Sequence, residues 1–299
     1  MSEQPQVAVD PSTGRPILVA PDRQARPMLT VAGRDGVAEC PFCPGAEAAT
    51  PPECDAVRPG GGANGWTVRA FPNLYPAARW HEVIAEGPAH RPQPGELPPA
   101  IWRDALQLWR RRIAFIESQP DVACAFLFKN VGRDAGASIA HPHSQIIGMP
   151  ELPPRLRAEL ERAVDGSIVM PELVDAEREG RIVAAGTRHV ALCPRQSKLP
   201  FETWLAPLDP TADFDDARDD QDLAELMSRV FRAIDRAFDG PPLNMWLHRV
   251  PRARFHWHFE LQPRIGYLAG LELGADAYIN STDGVAAAAR LRAAVEGGP

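Results

Sequence analysis

The sequence predicts an α+β protein made of two similar halves in tandem. Strand-like and helix-like segments follow one another along the 299 residues, and their order in the second half echoes the order in the first. The segments HPHSQIIG and HWHFELQP, one in each half, both place two histidines one residue apart at the start of an apolar strand. Such self-similarity indicates an internal duplication. We expect the halves to be residues 1–165 and 166–299.

Local patterns predict each element. Strand-like segments are short apolar runs bounded by turn residues, and helix-like segments carry apolar residues at intervals of three or four. In the first half we expect a short strand within 15–27, a turn at 40–45, a mobile loop at 46–65, strands at 66–73, 81–87 and 123–130, helices at 99–119 and 153–164, and a loop that enters a strand at 141–148. In the second half we expect strands at 189–194, 201–207, 244–250 and 255–263 and a helix at 222–238.

Composition excludes several classes of function. The net charge of −7 argues against a nucleic acid polymer or an anionic membrane as the partner, because both attract diffuse positive charge. No apolar stretch approaches the ~20 residues of a membrane helix, and the N-terminus lacks the pattern of a signal peptide. Five cysteines in a chain of this length do not make a disulfide framework. The sequence therefore predicts a cytoplasmic protein.

Four residues of the first half form a candidate metal site: Cys40, Cys43, His90 and His141. The C-x-x-C spacing lets both thiolates approach one ion from a single turn, and two imidazoles would complete a closed tetrahedral shell. Closed shells of this kind are structural. The alternative is a pair of loop cysteines with unrelated histidines.

His143 is the candidate nucleophile. Residues two apart on a strand point the same way, so His141 and His143 share a face. A neutral imidazole can attack phosphorus if its other nitrogen donates to a fixed acceptor. Gln145, two residues further on, could donate its amide to a phosphoryl oxygen as charge builds there. The alternative is that these residues form a structural cluster whose hydrogen bonds are all satisfied.

These motifs resemble the galactose-1-phosphate uridylyltransferase family, a branch of the histidine-triad superfamily. The match is centred on Asn130 and on GASIAHPHSQI at 136–146. It extends over most of the chain through RQARP (23–27), CPFC (40–43), FPN (71–73), VIAEGPAH (83–90), NMWLH (244–248) and FHWHFELQPR (255–264). The C-terminal stretch YLAGLELGADAYIN is most similar to the ADP-glucose phosphorylase branch.

The resemblance implies a fold and a set of roles. Each half would be histidine-triad-like, with an antiparallel sheet and helices packed on one side, and the protein would be a homodimer. His143 would form the nucleotidyl intermediate. The implied substrate contacts are Gln145 and Ser138 with the phosphates, Asn130 and Asn73 with the nucleotide, and Arg23 and Arg26 near the substrate phosphates. The implied ligands of a structural zinc are Cys40, Cys43, His90 and His141.

Departures from the family pattern fall on two places. A second C-x-x-C is missing around 166–173, so we expect a second zinc site of that kind to be absent. Glu159, His248, His256 and His258 are imperfect counterparts of a glutamate and three histidines that bind metal in transferase members. Gly266 and Leu271 stand where those members carry a lysine and a tyrosine, which leaves Glu272 as a possible sugar contact.

The sequence thus predicts a nucleotidyltransferase that moves a nucleoside monophosphate between a nucleoside diphosphate sugar and a phosphate-bearing acceptor. In the first alternative, inorganic phosphate is the acceptor and the protein is a phosphorylase. In the second alternative, of another class, the chain is a catalytically idle nucleotide-binding protein. The base, the sugar and the pathway are not specified by the sequence.

Overall fold

A ten-stranded antiparallel sheet forms the centre of the molecule, accompanied by a two-stranded hairpin. The computed structural model describes residues 5–25, 40–60, 65–90, 93–218 and 220–297. The strands are β1 Gln6–Val9, β2 Pro16–Val19, β3 Asp55–Val57, β4 Val68–Pro72, β5 His81–Glu86, β6 Cys124–Val131, β7 His143–Met149, β8 Ile182–Ala185, β9 His189–Leu192, β10 Thr203–Pro207, β11 Leu243–His248 and β12 His258–Pro263. The helices are α1 Pro99–Glu117, α2 Pro154–Arg162, α3 Val169–Glu179, α4 Asp220–Phe238, α5 Gly270–Ala275 and α6 Gly284–Val295.

The two halves of the large sheet have the same topology. The first half contributes strands in the spatial order β3-β4-β5-β7-β6, and the second contributes β8-β9-β10-β12-β11. In both halves a long helix connects the third strand to the fourth, α1 in one and α4 in the other. The halves join where β6 pairs with β11, which makes one continuous sheet. The sequence echo between the halves is therefore a repeat of topology, while the boundary at residues 165 and 166 stays a prediction.

Helices α1, α4 and α6 cover one face of the sheet, which we call the helix face. Helix α1 begins with Pro99 at its first turn, where the missing N–H costs nothing. Its apolar spacing buries Trp102 and Trp109 completely, and Trp102 stacks on Phe231 of α4 with ring centroids 4.7 Å apart. Helix α2 lies on the opposite face, where Leu156 packs against Cys124. The predicted helix layer is confirmed, whereas the helix predicted at 153–164, which is α2, lies on the opposite face.

The stretch at 46–65, predicted to be a mobile loop, is in part ordered, and that prediction was wrong. Residues 47–49 form a short 3₁₀ turn, and β3 pairs with β4 at the edge of the sheet. Arg111 of α1 holds Asp55 by two hydrogen bonds of 2.8 and 2.9 Å. A strand of three residues carries no usable period, so tertiary contacts rather than local pattern define it. Strands β1 and β8, with four residues each, were not predicted either, because they are also too short to show a period.

A buried ion pair lies behind β7, on the helix face. Lys129 of β6 and Glu86 of β5 are 1% and 0% exposed at their side chains and contact each other directly. The Lys129 ammonium also donates to the carbonyl of His143 at 3.2 Å. Lys129 therefore links β6 to β5 through Glu86 and to β7 through the His143 carbonyl, and removing either charge would leave the other buried without a partner.

Among the described helices, none is both long and apolar enough to cross a membrane.

Candidate active site

His143 is the first residue of β7 and faces away from the helices. Strand alternation turns Ser144 to the helix face, where its hydroxyl accepts from the Trp109 indole at 2.7 Å. The imidazole of His143 is 5% exposed and lies in contact with the edge of the Phe42 ring. Its Nδ1 lies 2.8 Å from the carbonyl oxygen of His141. A carbonyl can only accept, so Nδ1 carries the proton and Nε2 is the unprotonated nitrogen of the neutral ring.

A pocket opens in front of this imidazole. Its walls combine apolar side chains with a few polar groups, as small-molecule sites usually do. His143, Gln145, Asn73 and Ser138 line it, and the apolar part comes from Phe42, Phe71, Leu74 and Val83. His143 and Gln145 are both within reach of one ligand there. The structure thus brings together, from β4, β5, β7 and the loop before β7, residues that are more than 70 positions apart in sequence.

The four predicted metal ligands lie side by side. Their ligand atoms are all within 4.8 Å of one another, and Sγ of Cys43 lies 3.2 Å from Nδ1 of His90 and 3.7 Å from Nδ1 of His141. The Nε2–H of His141 donates to the Gly87 carbonyl at 2.9 Å, which directs the Nδ1 lone pair at the cysteines. This group could hold a metal ion.

Electrostatics of the group favour a cation. Burial and the neighbouring Cys40 raise the pKa of the Cys43 thiol to about 11. Burial lowers the pKa of His141 to about 4, so the imidazole is neutral at physiological pH. A neutral imidazole is the form that binds metal, and a metal ion would supply the positive charge that a Cys43 thiolate lacks here.

The remaining predicted substrate residues are distributed around the pocket and beyond it. The amide oxygen of Asn130 accepts from Asn244 across the β6–β11 junction at 2.8 Å. Arg23 donates to the Tyr75 carbonyl at 2.6 Å, next to Asn73. Arg26 falls outside the described residues. Glu272 is partly exposed in α5 and accepts from the backbone N–H of Ala269 at 2.9 Å, so it caps its own helix.

The Galactose-1-phosphate uridyl transferase N-terminal domain family model matches residues 81–153 of this chain. The ADP-glucose phosphorylase of Arabidopsis thaliana is 27% identical over 317 residues, covering 93% of this chain and 90% of that protein. The galactose-1-phosphate uridylyltransferase of Thermotoga maritima is 24% identical over 325 residues, covering 95% and 96%. Over most of its length, this chain is thus similar to ADP-glucose phosphorylase and to galactose-1-phosphate uridylyltransferases.

Solved structures extend this relationship to the fold. The Arabidopsis thaliana ADP-glucose phosphorylase with bound ADP-glucose aligns with a TM-score of 0.75 at 27% identity, covering 97% of this chain and 99% of that one. A uridylyltransferase mutant aligns with a TM-score of 0.78 at 27% identity, covering 97% and 98%. The homology therefore spans both halves of the molecule.

In the second half of the chain, the positions equivalent to the pocket carry different side chains. Gln145 pairs with Val83 and Phe128 on its neighbouring strands, whereas Glu260 pairs with Trp204 and Trp246. Glu260 is thus the counterpart of Gln145, and His258 is the counterpart of His143. Helix α2 covers this region, and its Arg155 bonds to Glu260. A buried carboxylate in place of an amide would repel a phosphate, so the second half is not a second copy of the pocket.

The predicted counterparts of a second metal site are only partly assembled. Ligand atoms of Glu159, His248 and His258 lie within 4.8 Å of one another. His256 is excluded from this group, because both of its ring nitrogens are hydrogen bonded. Its Nε2 lies 2.8 Å from the Pro207 carbonyl and its Nδ1 lies 2.8 Å from the Ser167 hydroxyl. Ser167 lies in the stretch where the second C-x-x-C is missing.

His81 supports the pocket residue Gln145 from behind, and sequence reasoning missed it. Its Nε2 lies 2.9 Å from Oε1 of Gln145, and its side chain is 4% exposed. The sequence did contain one signal: His81 stands two residues before Val83 in a predicted strand, so both side chains lie on the same face of β5, and Val83 lines the pocket. Recognising the contact also required the register of β5 against β7, which pairs His81 with Ile147. That register is a property of the folded sheet.

Glu202, the counterpart of His81, gives a prediction on pH. Burial and the Glu260 carboxylate raise the pKa of Glu202 to about 7 from an ordinary 4.5. Ionised Glu202 therefore destabilises the fold above pH 7, and the penalty falls as pH drops from 7 towards 4.5. We expect Glu202→Gln to stabilise the protein by up to about 3 kcal/mol more at pH 8 than at pH 5. Urea unfolding at both pH values measures this. The control is Glu161→Gln on the exposed side of α2, and an equal effect of Glu202→Gln at both pH values would contradict the prediction.

Proposed function

We propose that this protein is a nucleotidyltransferase that passes a nucleoside monophosphate through a covalent bond to Nε2 of His143. The observation that carries the proposal is the hydrogen bond from Nδ1 of this buried imidazole to the His141 carbonyl. It makes Nε2 the unprotonated ring nitrogen, and the His143 ring lines a pocket together with Gln145. The homology to uridylyltransferases and to ADP-glucose phosphorylase supports nucleoside diphosphate sugars as substrates.

The reaction takes two displacements at the same phosphorus. Nε2 of His143 attacks the α-phosphorus, the bond to the bridging oxygen breaks, and the sugar 1-phosphate leaves with that electron pair. The phosphorylated imidazole is cationic while Nδ1 keeps its proton, and the His141 carbonyl stabilises that charge. A phosphate-bearing acceptor then attacks phosphorus and releases His143. The leaving groups are stable anions, so a strong general acid is not required.

Other residues take the supporting roles that the family resemblance implies. Gln145 and Ser138 would hold the phosphates, and both line the pocket. Asn73 and Asn130 would contact the nucleotide, and Arg23 and Arg26 would lie near the phosphates of the substrate. Glu272 would reach a sugar hydroxyl. The position of Arg23 beside the Tyr75 carbonyl supports its share of this assignment.

We propose zinc as the ion for Cys40, Cys43, His90 and His141. Two thiolates and two imidazoles are a set that zinc prefers, and Zn–S and Zn–N bonds of about 2.3 and 2.1 Å put neighbouring ligand atoms about 3.5 Å apart. The Cys43 to His141 spacing of 3.7 Å is close to that value. Four protein ligands leave no open position, so the ion would be structural. The chain's own His141 would link the ion to His143 through its carbonyl.

The alternative activity, phosphorolysis with inorganic phosphate, is favoured by a specific observation. Leu271 is 46% exposed and Gly266 has open space around it, where the transferase pattern has a tyrosine and a lysine. The similarity to ADP-glucose phosphorylase points the same way. The idle-protein alternative is opposed by the intact arrangement of His141, His143 and Gln145.

We also propose that the protein is a cytoplasmic homodimer. Exposed apolar side chains on the β1–β2 hairpin and around α5 support a self-association surface: Val7, Val9, Tyr267, Leu273 and Ile279. An ion pair between Arg15 and Asp276 joins the hairpin to the α5 segment, which makes the surface continuous.

The first prediction tests the nucleophile. We expect His143→Ala to abolish transfer and the covalent adduct, with folding and nucleotide-sugar binding retained, because the nucleophile acts mainly in the transition state. Intact-protein mass spectrometry after incubation with UDP-glucose or ADP-glucose should detect an acid-labile nucleotidyl group in the wild type. His189→Gln, at a histidine of β9 outside the pocket, is the control. Equal turnover by wild type and His143→Ala, or an adduct on another residue, would refute the mechanism.

The second prediction concerns the metal. Elemental analysis should find one zinc per chain, and Cys43→Ser should lose it with a clear fall in the free energy of unfolding. Structural zinc contributes about 10 kcal/mol or more in small domains, and we expect less here because the core is larger. Cys54→Ser is the matched control, since Cys54 is exposed and outside the ligand group. Purified wild-type protein that is active without zinc would contradict this.

The third prediction concerns the acceptor. We expect a preformed nucleotidyl-enzyme to react with inorganic phosphate at least as fast as with galactose 1-phosphate. Each missing charge-assisted contact costs ~1.5–3 kcal/mol in the transition state, so two reduce the sugar-phosphate rate by several orders of magnitude. Gly266→Lys with Leu271→Tyr should raise the rate with galactose 1-phosphate selectively. A clear preference of the wild type for the sugar phosphate would restore uridylyl transfer between sugar phosphates.

A further inference from the structure

The orientation of the Gln145 amide decides whether it helps or hinders transfer. Only its NH₂ group can donate to a phosphoryl oxygen, whereas its carbonyl oxygen would repel that oxygen. The side chain is 4% exposed and lines the pocket, so bulk water contributes little to fixing it. The surrounding hydrogen bonds must therefore determine which end of the amide faces the ligand.

His81 has a defined tautomer. The backbone N–H of Ala77 donates to Nδ1 of His81 at 2.9 Å. A backbone N–H can only donate, so Nδ1 must be the unprotonated nitrogen and Nε2 must carry the hydrogen. Nε2 then donates to Oε1 of Gln145, 2.9 Å away. A doubly protonated ring would lose the bond from Ala77, so the neutral form fits this site.

Asn73 acts on the same oxygen. The backbone N–H of Tyr75 donates to Oδ1 of Asn73 at 2.9 Å, which fixes the orientation of that amide. Nδ2 of Asn73 is consequently the end that approaches Gln145, and it lies 3.3 Å from Oε1 and 3.2 Å from Nε2 of His81. Because this Nε2 carries a hydrogen and cannot accept, Nδ2 donates to Oε1. The backbone N–H groups of Ala77 and Tyr75 thus fix the orientations of His81 and Asn73, and both side chains donate to Oε1 of Gln145.

We infer that His81 is a positioning residue that, together with Asn73, holds Oε1 of Gln145 away from the substrate and directs its NH₂ group at the reacting phosphorus. This inference rests on the proposed function, because it assigns His81 a part in the same transfer. The second half provides a contrast. There the positions of His81 and Gln145 are occupied by Glu202 and Glu260, and two carboxylates cannot form this donor pair.

The test is a double-mutant cycle on nucleotidyl transfer. We expect His81→Leu to lower kcat about 10- to 100-fold with little change in KM. Without His81 the Gln145 amide can turn, and the hydrogen bond from its NH₂ group to the phosphoryl oxygen is then lost mainly in the transition state, where charge develops. On the Gln145→Leu background, His81→Leu should change kcat by less than about twofold. His81→Gln, whose amide can replace the Nε2 donor, should recover part of the rate. An equal loss of rate from His81→Leu with and without Gln145 would mean that His81 is merely structural, and would overturn the inference.

A second measurement does not depend on whether His81→Leu folds. Nitrogen-15 spectra of the histidine-labelled wild-type protein at pH 7.5, with the His81 signals assigned from His81→Gln, report which ring nitrogen is protonated. We expect protonated Nε2 and unprotonated Nδ1, and the opposite tautomer or a doubly protonated ring would overturn the inference. Failure of the proposed function is distinguishable, since in that case the wild type itself would form no nucleotidyl adduct. An adduct at wild-type rate in His81→Leu would reject only the role of His81.

Discussion

The site depends on the pairing of β7 with both of its neighbours. β7 is bonded on one side to β5 and on the other to β6, so its backbone has no freedom to rotate and its side chains alternate strictly between the two faces. His143 and Gln145 consequently face the pocket while Ser144 is bonded to Trp109 beneath the sheet. A slip of one residue would exchange these faces and bury the nucleophile against α1. The Lys129–Glu86 pair joins the three strands from the helix face and opposes such a slip.

The same topology in the second half carries a different surface. His258 keeps the local geometry of His143, with Nδ1 3.3 Å from the carbonyl two residues earlier. Its surroundings, however, are Glu159 of helix α2 and the rings of His248 and Trp204, rather than an open pocket. Burial lowers the pKa of His258 to about 3, so this imidazole stays neutral. One half thus presents its face to a ligand, and the other uses the equivalent face to pack a helix and ion pairs. The same strand order thus occurs twice, and the side chains on one face distinguish the two copies.

Much of this arrangement could be predicted from the sequence, because the relevant signals were local or repeated. The alternation around His141 and His143 predicted their shared face, and the C-x-x-C spacing predicted the ligand turn at Cys40. Contacts between distant strands could not be predicted in this way. His81 reaches Gln145 only through the β5–β7 register, and β3 exists because Arg111 and β4 hold three residues of a stretch without periodicity. The contact between the Ser167 hydroxyl and His256 was likewise not predicted, since a serine that bonds to a distant histidine has no sequence signature.

The proposed zinc ligands and the proposed nucleophile are linked through one residue, His141. Loss of the ion would therefore affect both the stability of the fold and the orientation of His143. The side chain of His141 belongs to the ligand group, and its carbonyl accepts the Nδ1–H of His143. Two residues on, Gln145 is held by donors whose own orientations are set by backbone amides of the 73–77 loop. Every polar group that faces the pocket from β7 is therefore oriented by a fixed backbone atom, either a carbonyl or an N–H. If the proposed transfer takes place here, such preorganisation removes the cost of reorienting dipoles as charge develops on phosphorus.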